Sequence, residues 1–188
     1  MFEGSGLKVK EFPLLSPKSV YTDDTVLTVA IAGAILGRGD YANCLREFAR
    51  RHPGRGYGGY FQHWVSDDSL APYNSWGNGS AMRVSPVGWA FDSVERVLVE
   101  AERSAEVTHN HTEGIRGAQA VALSVYFARR GAEKIAIRQE ITDRFGYDLT
   151  RTADEIRSRY SFDVSCQASV PESIICFLDS DSFETSVP

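Results

Sequence analysis

The sequence predicts an all-α protein of one domain. Apolar residues recur at helical spacing along most of the 188 residues, whereas the alternation that is typical of strands is almost absent. That length is close to the usual size of a single domain. The segment from Val26 to Leu36 is apolar on nearly every side, which predicts a helix buried on most of its faces. We therefore expect a bundle of helices around one or two very apolar central ones.

Start and stop signals order the helices along the chain. Gly37 and Gly39 end the first helix, and Asp40 is a suitable N-cap for the second, which stops at Pro53. Pro171 is placed to begin the last helix, since proline is favoured in a first turn. We expect helices over 26–36, 41–51, part of 54–65, 93–107, 113–130, 132–145, 152–159 and 171–180, with a polar loop at 66–80 and an extended piece at 160–165.

Charge, apolar run length and cysteine content argue against nucleic-acid-binding, membrane-spanning and disulfide-bonded proteins. The chain has 20 Lys and Arg against 25 Asp and Glu, and its net charge of −5 gives no support for a nucleic-acid partner. The longest apolar run, 29–36, is far shorter than the roughly 20 residues that span a bilayer, and the N-terminus lacks a secretory signal pattern. Three cysteines without C-x-x-C or zinc spacing predict reduced thiols. We expect a cytoplasmic protein with no membrane contact.

Two adjacent carboxylates stand where the apolar helix begins. Thr22 or Asp23 can cap that helix and Asp24 can complement its dipole, which is ordinary at a helix N-terminus. A cap needs only one acid, however, and neighbouring carboxylates repel each other beside an apolar helix. A cation would relieve the repulsion, and hydroxyl and carboxylate oxygens favour Mg²⁺, Mn²⁺ or Ca²⁺ over zinc. The spacing leaves both interpretations open.

A glycine-rich stretch follows at 74–86. Gly77 and Gly79 allow backbone amides to turn toward a ligand, and Ser80 can cap a helix that begins at 81–84. An anion could dock on the exposed amides, with Arg83 adding positive charge. A plain glycine turn before a capped helix would give the same pattern. The stretch matches neither the P-loop nor the Rossmann fingerprint.

A third polar stretch, 108–114, contains two histidines. His109 and His111 are two residues apart, too close to share a helical face, and Glu113 falls in the first turn of the helix that follows them. A zinc site would need further ligands, and none is evident nearby. The pattern favours a histidine that forms hydrogen bonds in a ligand pocket. Two solvated loop histidines are the alternative.

Together the three stretches resemble the ADP-ribosylglycohydrolase family, which includes the dinitrogenase-reductase-activating glycohydrolases. The matching segments are TDDT, NSWGNGSAMRVSPVG and AEVTHNHTEGIRGAQA, followed by FGYDL and FDVSCQASVPESIICFL. They have the family's order and spacing and cover essentially the whole chain. The resemblance implies a compact orthogonal bundle of α-helices that holds two Mg²⁺ or Mn²⁺ ions and hydrolyses the bond at the anomeric carbon of an ADP-ribosyl group.

The resemblance also implies roles for individual residues. Thr22, Asp23 and Asp24 would be metal ligands on one side of the ion pair, and the two aspartates count with Glu3 as catalytic. Glu3, rather than Glu11, would guide the attacking water or the leaving group.

The same resemblance implies a substrate-binding set. The diphosphate and the distal ribose would be held by Ser75, Trp76, Gly77, Asn78 and Gly79, with His109 on the phosphates. The substrate would be an ADP-ribosylated protein or a small molecule that contains ADP-ribose. Which acceptor is released does not follow from these segments.

The chain departs from the family pattern at both ends. The family has a helix with a G-D-x-x-G segment before its glutamate, and a later G-G-D-x-D-T segment that ligates the metals from the opposite side. The acidic tail at 179–182 mimics D-x-D-T only superficially, and solvated charge at a helix end is the better interpretation. We therefore expect one domain over 1–188, incomplete at both ends, with a weak or empty binuclear site.

Three functions remain open from the sequence. The first is an ADP-ribosyl hydrolase, the second is a module that binds ADP-ribose without turnover, and the third is a structural protein, because the family resemblance extends to lens crystallins. Uncovered apolar flanks of the 26–36 helix would also allow oligomerisation.

Overall fold

The computed structural model describes residues 17–37 and 39–186, and in this part of the chain the regular structure is helical. The helices are α1 (Asp23–Leu36), α2 (Tyr41–Arg51), α3 (Gly59–Ser66), α4 (Gly79–Met82), α5 (Ser85–Ala90), α6 (Val94–Glu106), α7 (Thr112–Arg129), α8 (Lys134–Phe145), α9 (Ala153–Arg157), α10 (Cys166–Asp179) and α11 (Phe183–Ser186). The described ranges contain no strand, and Gly77 and Ser165 form an isolated antiparallel bridge. The expected all-α class is confirmed.

Two helices occupy the centre of the bundle. α7 packs against α4, α5, α6, α8 and α10, while α1 packs against α2, α4 and α5. Five apolar side chains of α1 are buried: Val26, Leu27, Ala30, Ile31 and Ala34. Val29 and Leu36 of the same helix are exposed, so one flank of α1 faces outward in the described structure. None of the helices in the described ranges has both the length and the apolarity needed to cross a membrane.

Glycine permits two close approaches to α7. A Cβ added at Gly117 would lie 2.5 Å from Sγ of Cys166, at the start of α10. One added at Gly88 of α5 would lie 2.5 Å from the carbonyl oxygen of Ala122 in α7. Because packed cores do not absorb such overlaps, both contacts require a residue without a side chain. The first contact brings the start of α10 beside α7 and the candidate site.

The last long helix begins earlier than its proline predicts. α10 starts at Cys166, so Pro171 lies buried inside the helix and not in its first turn, and the expected start at 171 is wrong. The reason is a tertiary contact. The amide of Cys166 donates to the carbonyl oxygen of Trp76 at 2.9 Å, which satisfies the first free donor of the helix. The proline costs the helix one backbone hydrogen bond.

The glycine-rich stretch also folds differently from expectation. α4 begins at Gly79, inside the predicted loop, and α5 follows at Ser85. Ser80 lies within α4 and caps nothing, because its hydroxyl donates to the carbonyl oxygen of Gly114 at 2.7 Å. The cap predicted at Asp40 is confirmed, since its carboxylate accepts from the amide of Asn43 at 3.0 Å.

Candidate active site

Thr22, Asp23 and Asp24 lie together at the start of α1. Thr22 occupies the N-cap position, but its hydroxyl donates to Oδ2 of Asp24 at 2.9 Å. The prediction that the Thr22 side chain caps the helix is therefore wrong. The amide of Asp23 donates to the carbonyl oxygen of Arg55 at 2.8 Å. Asp24 is exposed and Asp23 is half-buried. The helix therefore begins with carboxylate and hydroxyl oxygens that solvent can reach.

These oxygens have the chemistry of ligands for a hard divalent cation. In residues 17–37 and 39–186, however, no group of three or more His, Cys, Asp or Glu side chains is arranged to hold a metal ion. Glu3 and Glu11 lie outside the described residues. The donor types at the start of α1 fit one side of a metal site, and the described residues do not complete it.

The acidic tail does not supply the other side within this structure. The Asp179 carboxylate accepts from the amide of Ala153 at 2.7 Å and lies 3.5 Å from Nη2 of Arg138. It therefore holds the start of α9 against the end of α10. The Asp179 carboxylate is thus a charge at a helix end, as predicted, but it is paired within the protein and not simply solvated.

An aromatic segment lies between the start of α1 and His109. A Cβ added at Gly56, whose φ is +97°, would lie 3.4 Å from Oδ1 of Asp23. Tyr60 of α3 stacks on Tyr73 with ring centroids 6.0 Å apart, and the Tyr73 ring lies 5.9 Å from that of His109. Sequence spacing gives no sign of these contacts, because they join three separate parts of the chain.

The glycine loop at 75–79 is fixed against the start of α10. The amide of Asn78 donates to the carbonyl oxygen of Val164 at 2.7 Å. In the other direction, Cys166 donates through its amide to Trp76 and through its thiol to the carbonyl oxygen of Gly77, the latter at 3.1 Å. Burial raises the pKa of the Cys166 thiol to about 11, so it stays protonated as a donor.

Two loop side chains are also bonded within the protein. The Ser75 hydroxyl accepts from the amide of Gly77 at 3.1 Å, and the Asn78 side-chain amide donates to the Ser169 hydroxyl at 3.1 Å. The indole of Trp76 is 54% exposed, so a ligand can reach its face. The predicted binding residues at 75–79 therefore form one loop. Hydrogen bonds from several of its polar groups maintain the shape of that loop.

His109 lies beside this loop and is only 5% exposed. A Cβ added at Gly79 would lie 3.2 Å from Nε2 of the imidazole, and one at Gly77 would lie 3.7 Å from it. Nδ1 lies 2.7 Å from Oγ1 of Thr108. The two ring nitrogens thus have different surroundings, with Nε2 at the loop glycines and Nδ1 at a buried hydroxyl.

Arg83 lies close to His109 in the interior and is 1% exposed. Its Nη2 donates to Oγ1 of Thr108 at 2.8 Å and to the carbonyl oxygen of Ser104 at 3.1 Å. Burial lowers the pKa of Arg83 to about 10, so it is still charged at neutral pH. Burial and the charge of Arg83 together lower the pKa of His109 to about 3, so the imidazole is neutral.

His111 acts at the start of α7. Its Nδ1 accepts from the amide of Glu113 at 3.1 Å, which caps the helix. Its ring also lies 5.9 Å from that of Trp76. The capping contact gives His111 a structural role that a pair of solvated loop histidines would lack.

The fold and the site define an all-α protein in which an acidic helix start, a glycine loop and a buried neutral histidine lie on neighbouring elements. Comparison with known sequences gives the class. The chain matches the profile of the ADP-ribosylglycohydrolase family over residues 3–187, and it belongs to that family.

Its curated relatives include proteins named ADP-ribosylhydrolase ARH3. The mouse (Mus musculus) protein is 33% identical over 130 residues, which cover 59% of this chain and 35% of the relative. The human (Homo sapiens) protein is 32% identical over 130 residues, covering 59% and 36%. The Xenopus tropicalis protein is 30% identical over 161 residues, covering 70% and 46%. The chain thus spans less than half the length of these relatives.

Proposed function

We propose that the protein is a metal-dependent hydrolase that releases ADP-ribose from an ADP-ribosylated protein side chain or a related acceptor. The observation that carries this proposal is the position of Nε2 of His109 beside Gly77 and Gly79. Membership of the ADP-ribosylglycohydrolase family and the printed names of the ARH3 relatives support it. An anionic group resting on the loop would meet a neutral hydrogen-bonding ring.

We assign the loop at 75–79 to the diphosphate and distal ribose of ADP-ribose. The amides of Gly77 and Asn78 already donate within the protein, so we assign the direct contact to Nε2 of His109, which lies 3.2 Å from the Cβ position at Gly79. The exposed face of Trp76 offers an apolar surface to a ring of the ligand.

We assign Thr22, Asp23 and Asp24 to the metal side of the site. A bound Mg²⁺ or Mn²⁺ ion would supply positive charge that orients water and ribose hydroxyls. Cleavage of a ribosyl bond builds positive charge at the anomeric carbon, which carboxylates stabilise. Asp23 and Asp24 provide such charge at the start of α1, and Glu3 is proposed as the carboxylate that guides the attacking water.

Hydrolysis of an ADP-ribosylated peptide tests this function. We expect release of ADP-ribose by the wild-type chain with Mg²⁺ or Mn²⁺, and loss of release in Asp24→Asn and Glu3→Gln. Glu102→Gln is the matched control, because Glu102 is an exposed acid on α6. Turnover that survives chelation and the Asp24→Asn substitution would contradict the assignment.

A second candidate is a protein that binds ADP-ribose without hydrolysing it. It is favoured by the incomplete set of ligands at the start of α1 among the described residues. Binding of ADP-ribose with no release from any ADP-ribosylated substrate would select this candidate. If the protein neither binds ADP-ribose nor releases it from a substrate, the structural function is the remaining candidate.

We also propose a reducing, cytoplasmic location. The supporting observation is that Cys44, Cys166 and Cys176 are all free thiols.

A further inference from the structure

Three consecutive partners form a buried hydrogen-bonded chain behind the glycine loop. Nη2 of Arg83 lies 2.8 Å from Oγ1 of Thr108, and the same oxygen lies 2.7 Å from Nδ1 of His109. All three residues are buried. The chain leads from a permanent cation to the nitrogen of the imidazole that faces away from the loop.

The donors in this chain have a definite order. A guanidinium can only donate, so Oγ1 of Thr108 accepts from Arg83 and keeps its own proton for another partner. The other partner of this oxygen, Nδ1 of His109 at 2.7 Å, is placed to accept that proton. That nitrogen is then an acceptor, and the proton of the neutral ring lies on Nε2.

The other nitrogen has the surroundings of a ligand contact. Nε2 lies 3.7 Å and 3.2 Å from the positions that Cβ atoms would take at Gly77 and Gly79, so the loop residues nearest this edge of the ring have no side chains. A donor there attracts an anion, whereas an unprotonated Nε2 would repel it.

The charge of Arg83 also favours a neutral His109 ring that donates a hydrogen bond. Within the described residues no carboxylate forms an ion pair with Arg83, and its Nε and Nη1 atoms have no hydrogen-bond partner. Its position therefore depends on Thr108 and the Ser104 carbonyl. A buried, uncompensated cation beside the ring opposes a second charge on His109 and polarises its N–H bond.

We propose that Arg83 and Thr108 are positioning residues that hold His109 as the Nε2–H tautomer, so that the imidazole donates a hydrogen bond to an anionic group on the 75–79 loop. The identity of that group as the ADP-ribose diphosphate rests on the proposed function. The assignment of the His109 tautomer does not depend on the proposed function.

Long-range ¹H–¹⁵N correlation spectra of the histidine rings test the tautomer directly. In the wild-type chain at neutral pH, we expect a protonated Nε2 and an unprotonated, hydrogen-bonded Nδ1 for His109. A protonated Nδ1 would overturn the proposal, because Thr108 would then accept from the ring instead of donating to it. This measurement needs neither a variant nor a ligand.

Thr108 variants test the connection between the two nitrogens. Thr108→Val keeps the side-chain shape without the hydroxyl, and we expect the Nδ1 resonance to shift and a second tautomer to appear. Thr108→Ser restores the hydroxyl and should restore the wild-type ring resonances. Unchanged His109 resonances in a folded Thr108→Val protein would overturn the connection.

ADP-ribose titration then separates positioning from stability. We expect Thr108→Val to weaken binding by about tenfold, the effect of one hydrogen bond, and Thr108→Ser to stay within about twofold of wild type. Ser124→Ala is the matched control, because it removes a buried hydroxyl bonded at 2.8 Å to the Ala120 carbonyl within α7. Equal affinities of Thr108→Val and Ser124→Ala would contradict the proposal. If the wild-type chain does not bind ADP-ribose, the proposed function fails, and the ring spectra still decide the tautomer.

Discussion

A histidine that meets an anion is commonly positively charged, and His109 is not. Its burial and the neighbouring charge of Arg83 lower its pKa to about 3, so the ring stays neutral throughout the physiological range. In the proposed site, attraction for a diphosphate comes from an N–H donor and from the Arg83 charge behind it. Such a site responds little to changes of pH near neutrality.

Gly79→Ala tests the contact between the loop and the histidine. The added Cβ would lie 3.2 Å from Nε2 of His109, in the space assigned to the ligand. We expect ADP-ribose binding to weaken by about tenfold or more, measured by competition with a fluorescent analogue. Gly59→Ala is the control, since nothing lies within 4 Å of a Cβ at that position. Equal binding by both variants would contradict the assigned contact.

The low pKa of His109 also predicts a pH dependence of stability. Its pKa falls from the usual value of 6.5 to about 3 in the folded chain, so between these values the unfolded state binds a proton that the folded state does not. Stability from this group is therefore complete above about 6.5 and is lost as pH falls toward about 3.

The free energy of unfolding, measured in urea from pH 7 to pH 4, reports this loss. His109→Gln removes the titrating group, and its slope below pH 6 should be shallower than wild type by up to about 1.4 kcal/mol per pH unit. Parallel slopes for the two proteins would contradict the low pKa.

At the scale of elements, the contact between α7 and α10 positions the site. Cys166 begins α10, packs on Gly117 of α7 and donates to the Gly77 carbonyl of the loop. A shift of either helix therefore moves the loop relative to His109.

Gly117→Ala tests this coupling. The added Cβ would lie 2.5 Å from Sγ and 2.8 Å from Cβ of Cys166. Overpacking typically costs about 1–3 kcal/mol, whereas alanine gains about 1 kcal/mol in helix propensity, so we expect net destabilisation of about 1 kcal/mol. Chemical denaturation measures it, with Gly59→Ala as the control that should stay within about 0.5 kcal/mol of wild type. A more stable Gly117→Ala protein would contradict the close packing.

The sequence predicts those elements whose signals are local. The apolar segment of α1 and the Asp40 cap of α2 are both found in the structure. The start of α10 could not be predicted from its proline, because the bond between the Cys166 amide and Trp76 joins residues far apart in the chain. The short helices α4 and α5 are likewise stabilised by packing on α7 and not by propensity.

In the candidate site, too, local signals were predictable and contacts between distant residues were not. Its three stretches carry local signals, namely paired acids, spaced glycines and closely spaced histidines. The roles of Arg83 and Thr108 depend on side chains that meet only in the folded chain, so the sequence indicates Arg83 as a charge but not its place behind His109. Membership of the family is therefore predictable from the sequence, and the hydrogen-bonded chain is not.

At the scale of the whole molecule, the proposed metal ligands of the described residues all lie at the start of α1. The described residues provide oxygen donors there and no group of three or more His, Cys, Asp or Glu side chains that could hold a metal ion. We therefore expect weak binding of Mn²⁺, because few ligands from one side give low affinity.

Thermal unfolding tests this expectation without substrate. A ligand that binds only the folded state stabilises it by RT ln(1 + [L]/Kd), where [L] is the free ligand concentration. Because we expect weak binding, millimolar Mn²⁺ should raise the midpoint of wild-type unfolding by a few degrees or less. The increase should vanish in Asp24→Asn and persist in Glu102→Gln. An equal increase in all three proteins would place the ion elsewhere.

The most direct test of the account is calorimetric titration of ADP-ribose into the wild-type chain with and without Mn²⁺. We predict one-to-one binding that Mn²⁺ strengthens, with the strengthening lost in Asp24→Asn and kept in Glu102→Gln. Absence of ADP-ribose binding both with and without the ion would contradict the assignment of the 75–79 loop and His109 as its site.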